Sequence, residues 1–214
     1  MKVTVRIEDS NYHFLRPADL ESLWENMDDS DPRAEDRIPY WVEIWPAAIA
    51  LARWLRHSQE DLCGRTCLDL GCGLGLTASV AARAAQSVLA MDLDYSALVH
   101  ARASALLNRV PMPSWLQMDW RHPALKKHAC SRLWGADILY ESRFFPPLLD
   151  LFEHALQPGG KIWIASPVRE VTHPFWTELA ALDWPARKVL TTHVSHMDFT
   201  EMKVELWEIS RPGA

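Results

Sequence analysis

The chain has 214 residues, 49% of them hydrophobic, and a net charge of −6, enough for one domain with a substantial core. No apolar run reaches the ~18 residues a membrane-spanning helix needs, and the polar start Met1-Lys2-Val3-Thr4-Val5 gives no expectation of a secretory leader. The acidic balance lacks the basic footprint of a nucleic-acid enzyme and favours a cationic partner.

Lys2 to Ile7 alternates as an edge strand does. Pro17 to Met27 sets Leu20, Leu23, Trp24 and Met27 at the spacing of an amphipathic helix. Asp28-Asp29-Ser30-Asp31-Pro32 is a charged break, read as a solvated loop ahead of a flap. Pro46 suits the first turn of a helix reaching about His57. Arg65 to Leu70 is short and mostly apolar, as a central parallel strand is. It runs into Gly71-Cys72-Gly73-Leu74-Gly75, after which Leu76, Val80, Ala81 and Ala84 share a helix face. Ser87 to Met91 reads as the next strand, ending at Asp92. Asp94 suits the N-cap of a helix from Tyr95 through Asn108.

Trp115 to Met118 reads as a third strand, closed by Asp119-Trp120. Lys126-Lys127-His128 is a solvated turn. Leu133 to Tyr140 is a fourth strand, Pro147 to Leu156 a helix, Gln157 to Gly160 a tight turn and Lys161 to Ala165 a fifth strand. A helix over Thr172–Leu182 precedes a final antiparallel pair, Arg187–His193 and Lys203–Ile209. Such alternation predicts a mainly parallel sheet with helices on both faces. Cys63, Cys67, Cys72 and Cys130 lack metal-like spacing and read as reduced thiols of a cytoplasmic protein.

The glycine loop is the most informative stretch. Its spacing is G-x-G-x-G; a dinucleotide fingerprint would need glycine at Leu76. Asp69 stands two residues ahead of the first glycine, where it would repel a pyrophosphate but suit an ammonium, directly or through water. The following helix end offers N–H groups to a carboxylate. Together they suit the amino-acid part of S-adenosylmethionine; a glycine turn without ligand is the bland alternative. Asp92, at the second strand tip, is placed on the ribose hydroxyls. Asp119 is expected to accept from the adenine amino group, and Trp120 to give a flat apolar wall; a loop aspartate beside a surface tryptophan is the other reading.

This order of glycine loop, ribose acid and adenine acid resembles the class I S-adenosylmethionine-dependent methyltransferases, from about Arg65 to Arg169. Two further stretches are similar to the seven-strand protein-lysine methyltransferases. Pro39-Tyr40-Trp41-Val42-Glu43-Ile44-Trp45-Pro46 looks like the segment preceding that family's core, and Trp45 matches its cofactor-facing tryptophan. Trp134-Gly135-Ala136-Asp137-Ile138-Leu139-Tyr140 resembles its D-x-x-Y signature, with Asp137 and Tyr140 at the fixed positions that border the methyl group and the amine. The resemblance implies an α/β fold: a seven-stranded, mostly parallel, doubly wound sheet with an antiparallel last strand. Residues 46–214 would form the cofactor-binding core of a single domain and 1–45 an extension.

The implied activity is N-methylation, with S-adenosyl-L-methionine as cofactor and a protein lysine as acceptor. A small-amine acceptor and a non-catalytic scaffold are the alternatives. Asp137 and Tyr140 are the expected catalytic residues; Trp45, Asp69, Gly71, Gly73, Gly75, Asp92, Asp119 and Trp120 are the expected cofactor residues. This chemistry requires no metal, although His193, His196 and Asp198 loosely imitate a ligand set. Arg169 reads either as a contact to an acidic group on the substrate or as a surface ion pair.

Overall fold

The structure is a computed structural model, and it describes residues 1–25, 38–196 and 199–211. The central strand, β3 (Thr66–Leu70), is flanked in parallel by β4 (Ser87–Asp92) and β6 (Cys130–Ala136). β5 (Ser114–Gln117) closes the β4 side. β7 (Leu156–Pro167) runs parallel to β6, and β9 (Phe199–Ser210) pairs antiparallel with both β7 and β8 (Ala186–His196). The order is β5-β4-β3-β6-β7-β9-β8. This is the expected seven-stranded, mostly parallel sheet, with β9 reversed between its neighbours.

Side chains alternate between two cores because successive strand residues face opposite ways. Cys67, Trp134, Trp163 and Ala165 meet α2 (Pro46–His57), α4 (Leu76–Ala81) and α5 (Tyr95–Leu107). Leu68, Leu133, Ile162 and Ile164 meet α6 (Phe145–Ala155) and α7 (His173–Ala181). The chain builds outward from β3 to β5, then crosses back to β6. That reversal opens a crevice beyond the strand tips, where sheets of this kind take ligands.

Several boundaries differ from the sequence reading. Lys2–Ile7 is the strand β1, as its alternation indicates, and it pairs with β2 (Ser10–Leu15) in a separate two-stranded sheet. The hairpin seats on α5 through Asn108, whose side chain accepts from the His13 amide at 2.8 Å and donates to its carbonyl at 2.7 Å. The helix expected from Pro17 is only α1 (Leu20–Trp24), has no buried residue, and leaves Trp24 50% exposed. Met27 and the Asp28–Pro32 break lie outside the described residues. The short α3 (Gln59–Leu62) follows α2. The turn expected over Gln157–Gly160 lies inside β7, where Gly159 has φ +71° and the pairing with β6 shifts register. β6 stops at Ala136, four residues before Tyr140, because Asp137 turns to φ +55°.

Candidate active site

The loop after β3 bends through Gly71, Gly73 and Gly75 at φ +64°, +50° and +82°. At Gly75 the left-handed conformation and the packing both demand glycine: a Cβ would lie 3.0 Å from the Trp115 ring and 3.1 Å from the Ala101 Cβ. The bend carries the chain across the strand tips and straight into α4.

Asp69 departs from its expected place. Its side chain is 1% exposed and does not line the crevice. The carboxylate faces back into the protein and accepts from the Thr77 hydroxyl at 2.6 Å. Burial pushes its carboxyl up to about 7, against the pull of that hydroxyl. The physical reason is the pleat. Leu68 and Leu70 face one core, so Asp69 points to the other side, beneath the start of α4, and becomes a strut of the turn. Asp69 is therefore behind the crevice lining rather than part of it.

Asp92 does line the crevice. It accepts from the Gly73 amide at 2.8 Å and from the Asp94 amide at 3.1 Å. Burial raises its carboxyl to about 6 against these two amides. Asp94 caps α5, accepting from the Ser96 amide at 2.7 Å. Its second oxygen accepts from the Trp41 indole at 2.8 Å, tying the segment before α2 to the rim of the crevice.

Asp119 and Trp120 follow β5 on the same wall. Arg121 grips Asp119, with Nε 3.0 and 2.8 Å from its two oxygens. Asp119 is therefore shared with a cation rather than open, a partner the sequence reading did not foresee. Trp120 packs edge-on to Phe144, with ring centroids 5.4 Å apart.

Asp137 and Tyr140 enter from the loop after β6. The Asp137 amide continues the sheet by donating to the Ala165 carbonyl at 2.8 Å. Its carboxylate receives Arg169, Nη1 to Oδ1 at 3.0 Å and Nη2 to Oδ2 at 3.3 Å. Burial raises the Asp137 carboxyl, and the Arg169 cation opposes this. Burial and the neighbouring Glu141 raise the Tyr140 phenol. Its ring lies 5.5 Å from those of both Tyr40 and Phe144. Trp45 ends the row. Its indole donates to the Tyr40 carbonyl at 2.9 Å, and its ring stands 6.1 Å from that of Tyr40 and 5.1 Å from that of Phe199.

One crevice thus gathers Trp45, Gly71, Gly73, Asp92, Asp119, Trp120, Asp137 and Tyr140. Gly75 shapes the turn from behind through its packing, and Asp69 lies beneath it. The sequence reading missed Tyr40, Phe144 and Glu43. Tyr40 and Glu43 stood within the quoted Pro39–Pro46 stretch, and Glu43 is fixed by Arg16 and by the Leu20 amide at 3.1 Å. Among the described residues no three metal-type ligands cluster; His193 and His196 lie on β8, and Asp198 falls outside.

Solved structures of the same architecture include the T. thermophilus 16S rRNA methyltransferase RsmC in complex with AdoMet and guanosine. It has a TM-score of 0.68 and 17% identity, covering 99% of this chain and 50% of that one. YcgJ from Bacillus subtilis has a TM-score of 0.64 and 12% identity, covering 77% and 99%. This chain shares their fold, with a glycine turn at the first strand tip and acids at the next two. A family model described as lysine methyltransferase matches residues 40–181, and the chain belongs to that family.

Among curated relatives, the electron transfer flavoprotein beta subunit lysine methyltransferase of Danio rerio is 44% identical over 78 residues, 35% of this chain and 30% of that protein. The histone-arginine methyltransferase METTL23 of Mus musculus is 23% identical over 191 residues, 82% and 70%. The protein N-lysine methyltransferase METTL21A of Danio rerio is 28% identical over 142 residues, 64% and 65%. The match spans under a third of the first of these proteins and about two thirds of the third.

Proposed function

We propose that this protein transfers a methyl group from S-adenosylmethionine to the side-chain amine of a lysine in another protein. The observation that carries the reading is the joining of two half-sites in one crevice. The glycine turn and Asp92 line the same crevice as Asp137 and the Tyr40–Tyr140–Phe144 rings.

The residues present fit the cofactor. Asp92 accepts from the Gly73 and Asp94 amides and still lines the crevice, and a carboxylate's acceptor capacity suits it to a ribose diol. Trp120 offers an indole wall and Asp119 an acceptor beside it, suited to adenine. Asp69 braces the turn from behind through the hydroxyl of Thr77, which itself lines the crevice. Trp45, at the start of α2, lines the crevice beside Tyr40 and is read as a cofactor contact. Residues 1–214 are read as one methyltransferase domain, with 1–45 an extension on the 46–214 core. The four unpaired cysteines favour a reducing compartment such as the cytoplasm.

When bound, the cofactor supplies an electrophilic methyl on a sulfonium that leaves readily. The protein's part is alignment and exclusion of water. A lysine amine must lose its proton before it attacks, and its ordinary pKa is ~10.4. The aromatic wall disfavours the charged form and lowers that value. Asp137 accepts a hydrogen bond from the amine and sets its direction, while Tyr140 borders the methyl path. Neither needs to be a strong base.

A second reading, a protein arginine as acceptor, draws support from the similarity to METTL23, which extends over 82% of the chain. A small amine is the remaining acceptor class, and a binding scaffold without turnover the remaining non-enzyme reading. The test is to incubate the purified protein with methyl-labelled cofactor and cell lysate. Label on lysine in a protein band supports the proposal, and label on arginine supports the second reading. Label confined to the small-molecule fraction, or no transfer at all, overturns it.

A further inference from the structure

We infer that Arg169 is a positioning residue for the methyl acceptor, fixing both the direction and the charge balance of the Asp137 carboxylate. The inference rests on the proposed methyl transfer and on three features of the structure. First, the contact is a two-pronged fork, at 3.0 and 3.3 Å, one nitrogen to each carboxylate oxygen. A fork of this kind sets the plane of the carboxylate as well as its place. Second, Asp137 cannot adjust by itself. It sits at φ +55° with its amide bound to Ala165, and its side chain is 6% exposed. Third, Arg169 is anchored at its own end: its carbonyl accepts from the Thr172 amide and hydroxyl, at 3.2 and 2.9 Å, while its side chain stays 35% exposed.

The consequence is electrostatic. An unpaired carboxylate beside a lysine would hold the amine as ammonium, which cannot attack. Paired with a guanidinium, the carboxylate keeps its acceptor lone pairs but presents almost no net charge. It can then orient a neutral amine without stabilising the protonated one. The other titratable groups lining the crevice are Tyr140 on the same loop, Tyr40 and Glu43 before α2, Cys72 in the glycine turn, Asp92 at the end of β4 and Asp94 after it, and Asp119 with Arg121 after β5. Arg169 is the cation bound to Asp137 among the described residues.

The test compares wild type with Arg169→Gln and Arg169→Lys. The Asp137 carboxyl is followed by carbon NMR on aspartate-labelled protein, with Asp137→Asn to assign the signal. Its titration midpoint should rise by roughly one to three pH units in Arg169→Gln and by less in Arg169→Lys. Equal midpoints in all three would overturn the inference. In parallel, methyl transfer into lysate proteins is measured across pH. In Arg169→Gln the profile should move to higher pH, with partial return in Arg169→Lys. A loss of equal size at every pH would mark a merely structural clamp and also overturn it. Absence of transfer by wild type would strike the proposed function instead, and the NMR midpoints would still decide the role of Arg169.

Discussion

The backbone amide of Gly73 donates to the carboxylate of Asp92 at 2.8 Å. That bond joins the glycine turn after β3 to the tip of β4, so the two most recognisable motifs of the chain form one rigid floor. Asp92 is left with lone pairs facing the crevice, and its position is set before any ligand arrives.

If those lone pairs receive the ribose hydroxyls, the Asp92→Ala variant should bind S-adenosylhomocysteine about 10- to 100-fold more weakly, the loss expected for hydrogen bonds to a charged acceptor. The pH dependence has a definite sign. Asp92 is raised to about 6, and the hydroxyls favour its ionised form. Affinity should therefore rise with pH up to about 6 and level off above it, while Asp92→Asn should show no such rise. Calorimetry across pH 5 to 8, roughly the span bracketing that value, checks both; unchanged affinity in Asp92→Ala would remove the ribose role.

Asp69 makes a separate statement about stability. Its carboxyl is raised from 3.8 to about 7, so the folded protein holds a proton that the unfolded chain releases. The stabilisation is complete below about pH 4, is lost as pH rises toward about 7, and is level above that. Asp69→Asn cannot lose that proton, and its amide oxygen still accepts from Thr77. Denaturant unfolding should show a shallower fall in stability between about pH 4 and 7 for Asp69→Asn than for wild type. Parallel curves would mean that Asp69 is not the buried group described.

Gly75 and Gly159 form a matched pair. Both have left-handed φ, +82° and +71°, but only at Gly75 would a Cβ meet neighbours, whereas nothing lies within 4 Å at Gly159. Gly159→Ala should lose about 1 kcal/mol through backbone strain, and Gly75→Ala distinctly more because Trp115 must shift as well. Thermal unfolding of the two variants measures the difference; equal losses would contradict the packing described around the turn.

Much of this was legible in the chain because strand and helix periods are strong signals. The α2 helix starts at Pro46 as its proline predicts, and β3, β4 and β5 lie within a residue or two of their apolar runs. Asp92, Asp119, Asp137 and Tyr140 reach one crevice because each follows a strand tip, and parallel strands bring their tips together. What escaped was orientation and long-range pairing. Whether Asp69 faced the ligand or the core depended on the pleat and on Thr77 eight residues later. The partner of Asp137 lies 32 residues away, and no local pattern announces it. The Ser10–Leu15 strand alternates clearly, with Tyr12 and Phe14 buried, but went unread beside the more obvious Lys2–Ile7.

Asp137 carries the next prediction. Asparagine tolerates the left-handed backbone and keeps the shape, but it weakens the fork with Arg169 and removes the anion. Asp137→Asn should therefore bind the nucleoside within a few-fold of wild type while methyl transfer falls on the order of 10²-fold, as expected when an aligned nucleophile is misplaced. Full transfer would remove Asp137 from the acceptor site, and lost nucleoside binding would move it to the cofactor side.

The most direct measurement locates the methyl group itself. Lysate from cells lacking this protein is incubated with the purified enzyme and deuteromethyl cofactor, and the tryptic peptides are sequenced by mass spectrometry. The account predicts deuterated methyl on the Nζ of lysine in a defined protein, and much less of it at sub-saturating cofactor when Asp92→Ala enzyme replaces wild type. Deuterium on arginine, on free small amines, or nowhere would contradict it.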